Sequence, residues 1–460
     1  MTATTSDASM QAPAATGDTP SVLPKWREAC YGSPYLFKAM LFTPVLAFIP
    51  SFYSVDHGIP LATLGTILLI TRLTDVLTDP LLGILSDRTR SRWGRRKPFI
   101  FVSAPLLMFT AWMVLVPPVE VTITYAVIWL SLLYLAFTVF DIPYRAWGAE
   151  LVEGYNGRTR LAGWREGFGM ASGLTVMSLI VLAPTLGLGS TSDTLMMLAA
   201  LFVIGTPIVT FLTLRFVPEP EIRAPAHEAH GAAQQFKIML SNKPFLWLLG
   251  GVIILLSGAI IGASLHMIVM ESYFGIRAWF PYILAGEGLA GVLSAPLWVM
   301  LSQRIGKHRA MSLATFLMGA FSAIIPFLGP DDDLLYAAVI VTRGFAGGGL
   351  GILIASMLAD VIDVDRLNSG QSRGGLLFAL VGMIGKLGVA FGSFIGLVIP
   401  PLFGFDPASK TNSPEALNAL LMTYAFIPML IMGSASFFFW RYPLTKAAHA
   451  EVQAALKERT

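Results

Sequence analysis

Apolar residues run in long blocks from about residue 36 to residue 440, with short polar or Pro- and Gly-containing breaks between them. Within the blocks the spacing is helical and continuous, without the alternation of a half-buried strand. Each block approaches the ~20 residues that a helix needs to cross ~30 Å of hydrocarbon. The pattern predicts twelve spans, near 36–55, 60–86, 99–117, 122–145, 161–184, 194–216, 245–272, 279–302, 309–328, 335–362, 373–400 and 417–440. A membrane β-barrel of ~10-residue alternating strands does not fit these runs.

Composition supports a membrane protein. Of 460 residues, 55% are hydrophobic and 13% charged, and the mean hydropathy is +0.68. A soluble core of this size could not hide so much apolar surface. The net charge of +3 is too small to suggest nucleic acid as a partner. Its placement is more informative. Lys and Arg collect before the first span, after the last, and in every second loop; six lie between Arg88 and Lys97 alone. The alternate loops hold only Arg277 and Lys410. The positive-inside rule then puts both termini in the cytoplasm of a multi-pass inner- or plasma-membrane protein. The basic loop would also touch anionic lipid headgroups, so membrane lipid is an expected partner. Cys30 is the single cysteine and the six His residues show no metal-ligand spacing, so no metal site or cofactor is expected. Residues 1–24 lack an apolar core and read as a disordered tail, not a signal peptide.

The chain repeats itself weakly. Asp79-Pro80-Leu81-Leu82-Gly83-Ile84-Leu85-Ser86-Asp87-Arg88 lines up with Ala295-Pro296-Leu297-Trp298-Val299-Met300-Leu301-Ser302-Gln303-Arg304. Gly94-Arg95-Arg96 follows the first and Gly306-Lys307 the second. A second pair starts at Ala149 and Ala359, with Gly157-Arg158-Thr159-Arg160 matching Gly370-Gln371-Ser372-Arg373. Two matches in the same order imply two six-helix halves. The expected organisation is a tail at 1–30, bundles at 31–217 and 244–441, a central cytoplasmic loop at 218–243 and a cytoplasmic tail at 442–460. Parallel duplication of six-helix halves is the plan of major-facilitator transporters, with solute held between the halves. The elements Gly83, Asp87 and Arg88, followed by Gly94, Arg95 and Arg96, resemble that superfamily's cytoplasmic loop motif, which implies a conformational latch.

Within LITRLTDVLTDPLLGILSDR, residues 69–88, the charged side chains Arg72, Asp75 and Asp79 interrupt an apolar span. Helical spacing puts them and Thr71 on one face. Each mid-span Asp or Arg costs roughly 2.5–3.5 kcal/mol, so the strip must face a cavity or the bundle interior. Two carboxylates one turn apart repel unless a cation lies between them, which suits a site for Na⁺ or H⁺. The alternative is that Arg72 pairs with Asp75 and the strip glues helices together. In the fourth span Asp141 is buried in an apolar run, with Thr138 nearby and Pro143 freeing a backbone carbonyl. Trp147 and Trp164 read as interfacial anchors. Arg165 and Glu166 open the fifth span, as a helix-end ion pair or as substrate contacts. Lys386 lies mid-span among Gly382, Gly385, Gly388 and Gly392, which permit close helix approach. Its carboxylate partners lie in the other half, which makes it a candidate for coupling between halves. Arg343 is similar but close enough to a helix start to snorkel. GGGLG at 347–351 suggests helix packing or bending.

The segments RLTDVLTDPLLGILSDRTRSRWGRRKPFI, TVFDIPYRAWGAEL and GRTRLAGWRE resemble the glycoside–pentoside–hexuronide:cation symporters, typified by melibiose permease, over about Tyr31 to Tyr442. The resemblance implies a cation-binding pair at Asp75 and Asp79 with a hydroxyl ligand at Thr138. It implies a sugar-binding carboxylate at Asp141. Lys38, Lys386 and Arg165 match functional basic residues of the first, eleventh and fifth helices. One position departs: an acidic residue follows the first-helix lysine in the permease, whereas Ala39 stands here. Arg145 stands where the permease has Trp. One carboxylate fewer and one cation more suggest a uronide or another anion, or a glycoside held differently.

The expected fold is therefore an all-α membrane protein of two pseudo-symmetric six-helix bundles, the major-facilitator fold, working as a monomer. The expected function is cation-coupled symport of a glycoside, pentoside or hexuronide by alternating access, with Na⁺ or H⁺ as the coupling ion. Expected substrate contacts are Lys38, Asp141, Arg145, Arg165 and Lys386. A lysophospholipid or amphiphile transporter on the same scaffold, and a transport-inactive membrane receptor, remain rivals. No nucleophile–base pair, metal cluster or phosphate loop suggests an enzyme.

Overall fold

The computed structural model describes residues 23–118, 120–152, 154–219, 241–369, 374–409 and 411–458. Among them all regular structure is helical. The chain enters through α1 (Lys25–Gly32), a 3₁₀ turn and α2 (Lys38–Ala47). It then bends by 42° into a short stretch ending at Asp56. Pro44 and Pro50 flank the bend; each lacks an amide proton and crowds the carbonyl four residues back. The rest of the first half is α3 (Leu61–Arg88), α4 (Lys97–Leu115), α5 (Ile123–Leu151), α6 (Gly154–Leu182) and α7 (Thr191–Phe216). The second half runs α8 (Lys243–Ser272), α9 (Phe280–Ile305), α10 (Lys307–Ser322), α11 (Asp333–Gly347), α12 (Leu350–Ser369) and α13 (Gly374–Leu402). It ends with α14 (Pro414–Leu421), continuous through a π turn with α15 (Ile427–Trp440), and a terminal α16 (Lys446–Glu458).

Ten of the described helices are long and apolar enough to cross a membrane, or eleven with the bent first pair taken as one span. The remaining expected span is α6. Its 29 residues would suffice, but Arg160, Arg165 and Glu166 dilute its first half. Helices α11 and α12 act as one span broken at Gly348-Gly349. A Cβ at Gly348 would collide with the Gly291 carbonyl and the Ser294 hydroxyl of α9, and one at Gly349 with Trp298. The glycine run thus both packs and bends.

The halves meet where α3 runs along α13 and α6 along α9. The glycines of α13 decide which way it faces. A Cβ at Gly388 would lie 2.9 Å from Leu256 Cβ, and one at Gly396 2.9 Å from Ser264 Oγ; one at Gly392 would overlap the Ser257 carbonyl. These positions, four apart, form a stripe that seats α13 against α8. Lys386, two positions from Gly388, is turned the other way, toward α3.

Both halves carry the same tie at the end bearing the basic loops. Gly94 (φ +99°) and Gly306 (φ +96°) make matching left-handed turns. After the first, Arg95 and Arg96 reach Glu150 at 2.9 and 2.7 Å. After the second, Lys307 reaches Asp360 at 2.7 Å. Glu150 and Asp360 follow Ala149 and Ala359, the residues that open the second repeat. At the opposite end Arg277 bridges the halves. It bonds Asp56 at 3.1 Å and Thr191 at 2.9 Å in the first half, and Glu271 at 2.7 Å in its own. Lying in a loop otherwise poor in cations, it is a clasp as well as a topology signal.

Two expectations change and a third gains detail. Residues 25–30 belong to α1 and not to a disordered tail, because the buried Glu28 accepts a bidentate bond from Arg160 (2.8 and 2.5 Å); residues 1–22 lie outside the described residues. The tail expected at 442–460 is helical over 446–458 (α16), held by His449 and Gln453 on Asp363 of α12 at 3.0 and 2.6 Å. Trp147 is no interfacial anchor. It is fully buried and donates to the Pro218 carbonyl at 3.1 Å. Most of the central loop (220–240), Lys410 and the second repeat's Gly370–Arg373 also lie outside the described residues.

The glycine stripe has a measurable consequence. Gly392→Ala should lower the thermal stability of the detergent-solubilised protein, since the methyl meets backbone. Gly433→Ala, with nothing within 4 Å, should leave it unchanged or raise it slightly through helix propensity. A fluorescence-based melting assay on both variants checks the contrast.

Candidate functional site

Helix α3 carries its polar strip inward at mid-depth. Asp75 is 3% and Arg72 6% exposed, so neither faces lipid. Arg72 Nη1 lies 3.3 Å from Asp75 Oδ2, and the guanidinium stacks 3.9 Å over the Tyr134 ring of α5. Thr138 donates to Asp75 Oδ1 at 3.4 Å. The helix-gluing pair anticipated as an alternative thus exists, yet it accounts for one aspartate only. Asp79 faces the other half. Lys386 of α13 donates to both its oxygens at 2.9 and 2.7 Å, and its Nζ is 3.6 Å from Asp75 Oδ2. One ammonium therefore sits between the two carboxylates and ties the bundles together.

The arrangement has a simple electrostatic reason. Two carboxylates about 6 Å apart repel by roughly 3 kcal/mol at an effective dielectric of 20. Arg72 and Lys386 supply two positive charges against the two of Asp75 and Asp79. The four groups sum to zero only with Lys386 in place.

A second set lies on α1–α2, α5 and α6. Asp141 is 2% exposed and is bonded by Arg145 Nε at 2.7 Å and by the Tyr35 hydroxyl at 3.1 Å. The Tyr35 ring also receives Lys38 Nζ at 4.6 Å and the Arg165 guanidinium at 5.3 Å from its centroid. Arg165 pairs with Glu166 at 2.9 Å. Arg145 keeps 42% of its side chain exposed and points toward Gly382 of α13. Lys38, Asp141, Arg145 and Arg165 thus converge on Tyr35. Lys386 belongs instead with the aspartate pair. The Ala39 amide donates to Ser172 Oγ of α6 at 3.0 Å, so this position ties α2 to α6 and adds no acceptor to the cluster.

Of the residues expected to form a latch, Asp87, Gly94, Arg95 and Arg96 come together. Arg96 is 3% exposed and bonds Asp87, Glu150 (2.7 Å) and Ser86 (2.6 Å). Burial opposes its charge, but Glu150 and Asp87 outweigh this and hold its pKa above the ordinary value. Glu219 caps the Arg95 and Arg96 amides at 2.6 and 2.8 Å, beside Gly94, where any side chain would strike it. Gly83 faces Ile142 of α5. Arg88 is exposed at the end of α3, outside this set.

Sequence reasoning missed Tyr35, Tyr134, Glu150 and Glu219. Glu150 had a readable signal in the Ala-Glu/Ala-Asp repeat. The tyrosines had none, since an aromatic in an apolar span is ordinary.

Charge pairing here is testable by stability. Asp79→Asn leaves Lys386 and Arg72 sharing Asp75 alone, one positive charge in excess, and should destabilise the protein by up to about 3–5 kcal/mol. Adding Lys386→Met should recover much of that loss. Thermal denaturation of the single and double variants reads the coupling; equal or additive losses would remove the pair from the account.

Comparison with known proteins agrees with this geometry. The family model described as MFS/sugar transport protein matches residues 30–446. The glucuronide carrier protein homolog of Escherichia coli is 26% identical, over 90% of this chain and 91% of its own. The isoprimeverose transporter of Lactiplantibacillus pentosus is 25% identical, over 88% and 86% respectively. Among solved structures, a D-xylose–proton symporter superposes with a TM-score of 0.63 at 14% identity, covering 91% of this chain and 97% of that one; at that identity the likeness speaks to fold. With motifs, fold and family model in agreement, the chain belongs to the MFS/sugar transport proteins, among the glycoside–pentoside–hexuronide:cation symporters.

Proposed function

We propose that this protein is a secondary active transporter that moves a hexuronide-like glycoside together with Na⁺ or H⁺ by alternating access. It would lie in an inner or plasma membrane with its basic loops and both termini on the cytoplasmic side. The observation that carries the reading is the Lys386 bridge to Asp75 and Asp79 across the halves. The cluster is neutral as it stands. A further cation binding there would leave one uncompensated charge in a low-dielectric site, so its entry requires Lys386 to leave. Departure of Lys386 unties α13 from α3 and frees the halves to rock. Asp75, Asp79 and the Thr138 hydroxyl are hard oxygen donors suited to Na⁺, and either carboxylate could instead take a proton.

The Tyr35 cluster is the proposed solute site. Three cations (Lys38, Arg145, Arg165) face two carboxylates (Asp141, Glu166), leaving one positive charge for a substrate carboxylate. The Asp141 carboxylate and the Tyr35 hydroxyl suit sugar hydroxyls. Of the solutes named for the relatives, a glucuronide offers both a carboxylate and hydroxyls, and isoprimeverose offers hydroxyls alone. The described polar contacts between halves lie at mid-depth and at the Arg277 end, which fits a pocket opening toward the cytoplasm.

Proteoliposomes offered a panel of uronides, neutral glycosides and pentosides, with an imposed Na⁺ or pH gradient and then without one, test the reading. A gradient should drive accumulation of a uronide, and Asp75→Asn should abolish accumulation while leaving folded protein. Full accumulation by Asp75→Asn, or competition by long-chain lysolipids alone, would overturn the assignment.

A further inference from the structure

The second half holds a charged cluster that the proposed cation and solute sites do not use. His266 of α8 is 1% exposed, and its Nε2 has no hydrogen-bond partner. Its Nδ1 stands 4.0 Å from Oε2 of Glu287 on α9, too far for a hydrogen bond. Arg343 of α11 takes the other carboxylate oxygen, donating from Nε at 3.1 Å and Nη2 at 2.9 Å. Arg343 is thus a buried ion-pair partner and does not snorkel. The three side chains line a cavity of about 160 Å³. A single water needs roughly 10–15 Å³ of such space, so the chamber has room for several.

Few other polar groups face this cluster among the described residues. Helices α8, α9 and α11 supply His266, Glu287 and Arg343. The Tyr336 and Tyr424 hydroxyls of α11 and the π turn bond each other at 3.0 Å, with the Tyr424 ring 5.9 Å from the Arg343 guanidinium. Helix α10 offers only Ser322 and Met318, and the first half only Ala47. Glu271, five residues after His266 on α8, is engaged by Arg277 and Ser51. Glu287 and Arg343 cancel. A metal cation would face Arg343, and an anion would face Glu287. The imidazole can instead take a proton, which adds one positive charge to this neutral set; the free Glu287 oxygen and water admitted to the chamber are what would offset it.

The cavity is closed on one side by the first half. Ala47 is part of its wall. Phe48 packs edge-on to Phe280 at 5.0 Å, and Phe280 packs on the His266 ring at 5.5 Å. The Arg277 clasp sits at this same end. Separating the halves there would remove Ala47 and Phe48 and admit water to the imidazole.

We propose that His266 and Glu287 form a second proton site, sealed while the Arg277 end is closed and filled from that side when it opens. This rests on the alternating-access reading but not on Asp75 and Asp79.

The test is ¹⁵N-histidine NMR of the full chain in lipid nanodiscs, titrated from pH 5 to 9. His266→Gln identifies the resonance; if that variant fails to fold, removing the other five histidines does so by elimination. The His266 signal should convert to the imidazolium pattern within this range. Glu287→Gln should lower its midpoint by at least one pH unit, a tenfold loss of proton affinity. A ring that stays neutral throughout, or a midpoint that Glu287→Gln leaves in place, would overturn the proposal. Gradient-driven uptake, and its loss in Asp75→Asn, would be unaffected by that result, so the two readings fail separately.

Discussion

A charge far from water has to be neutralised by another held against it, and this molecule is organised around that requirement. Asp75 has Arg72 on its own helix; Asp79 has no cation on α3 and finds Lys386 on the opposite bundle. Neutrality of the mid-membrane cluster is thereby tied to contact between halves. Removing one partner of such a buried pair typically costs several kcal/mol, whereas exchanging one cation for another costs far less. Under the proposed function, an arriving cation is thereby matched to releasing the bridge.

Backbone packing makes this possible. The stripe at Gly388, Gly392 and Gly396 brings α13 against α8 closely enough that its opposite face, with Lys386, is presented to α3. Gly65 does the same at the Arg277 end of α3, where a Cβ would lie 3.0 Å from Leu397 Cβ. The ties at the basic end, Arg95 and Arg96 on Glu150 and Lys307 on Asp360, each lie within one half. They stiffen each bundle as a unit, which rigid-body rocking requires.

Much of this was legible before the fold. Long apolar runs report lipid depth directly, and charges inside them are too costly to be incidental, so Asp75, Asp79, Asp141 and Lys386 stood out. The repeat at Ala149 and Ala359 carried a signal for the paired ties, although in the sequence it indicated only duplication. What stayed hidden depended on rotation about helix axes and on distant packing. Tyr35 and Tyr134 became cation platforms only once α1–α2 and α5 were placed. Arg277 counted as a lone basic residue until Asp56 and Thr191 were seen beside it. The helical ends at 25–30 and 446–458 are polar enough to read as tails and are fixed by tertiary ion pairs and hydrogen bonds that no local pattern announces.

The proposed mechanism requires that Lys386 occupy the place taken by the coupling ion. Cation affinity of the purified protein, with Na⁺ and protons each titrated, tests it most directly when wild type is compared with Lys386→Met. Without the tethered competitor the affinity for the coupling ion should rise at least tenfold. Unchanged or weaker binding would mean that the lysine is a collaborator of the ion and not its rival, and the displacement mechanism would be contradicted.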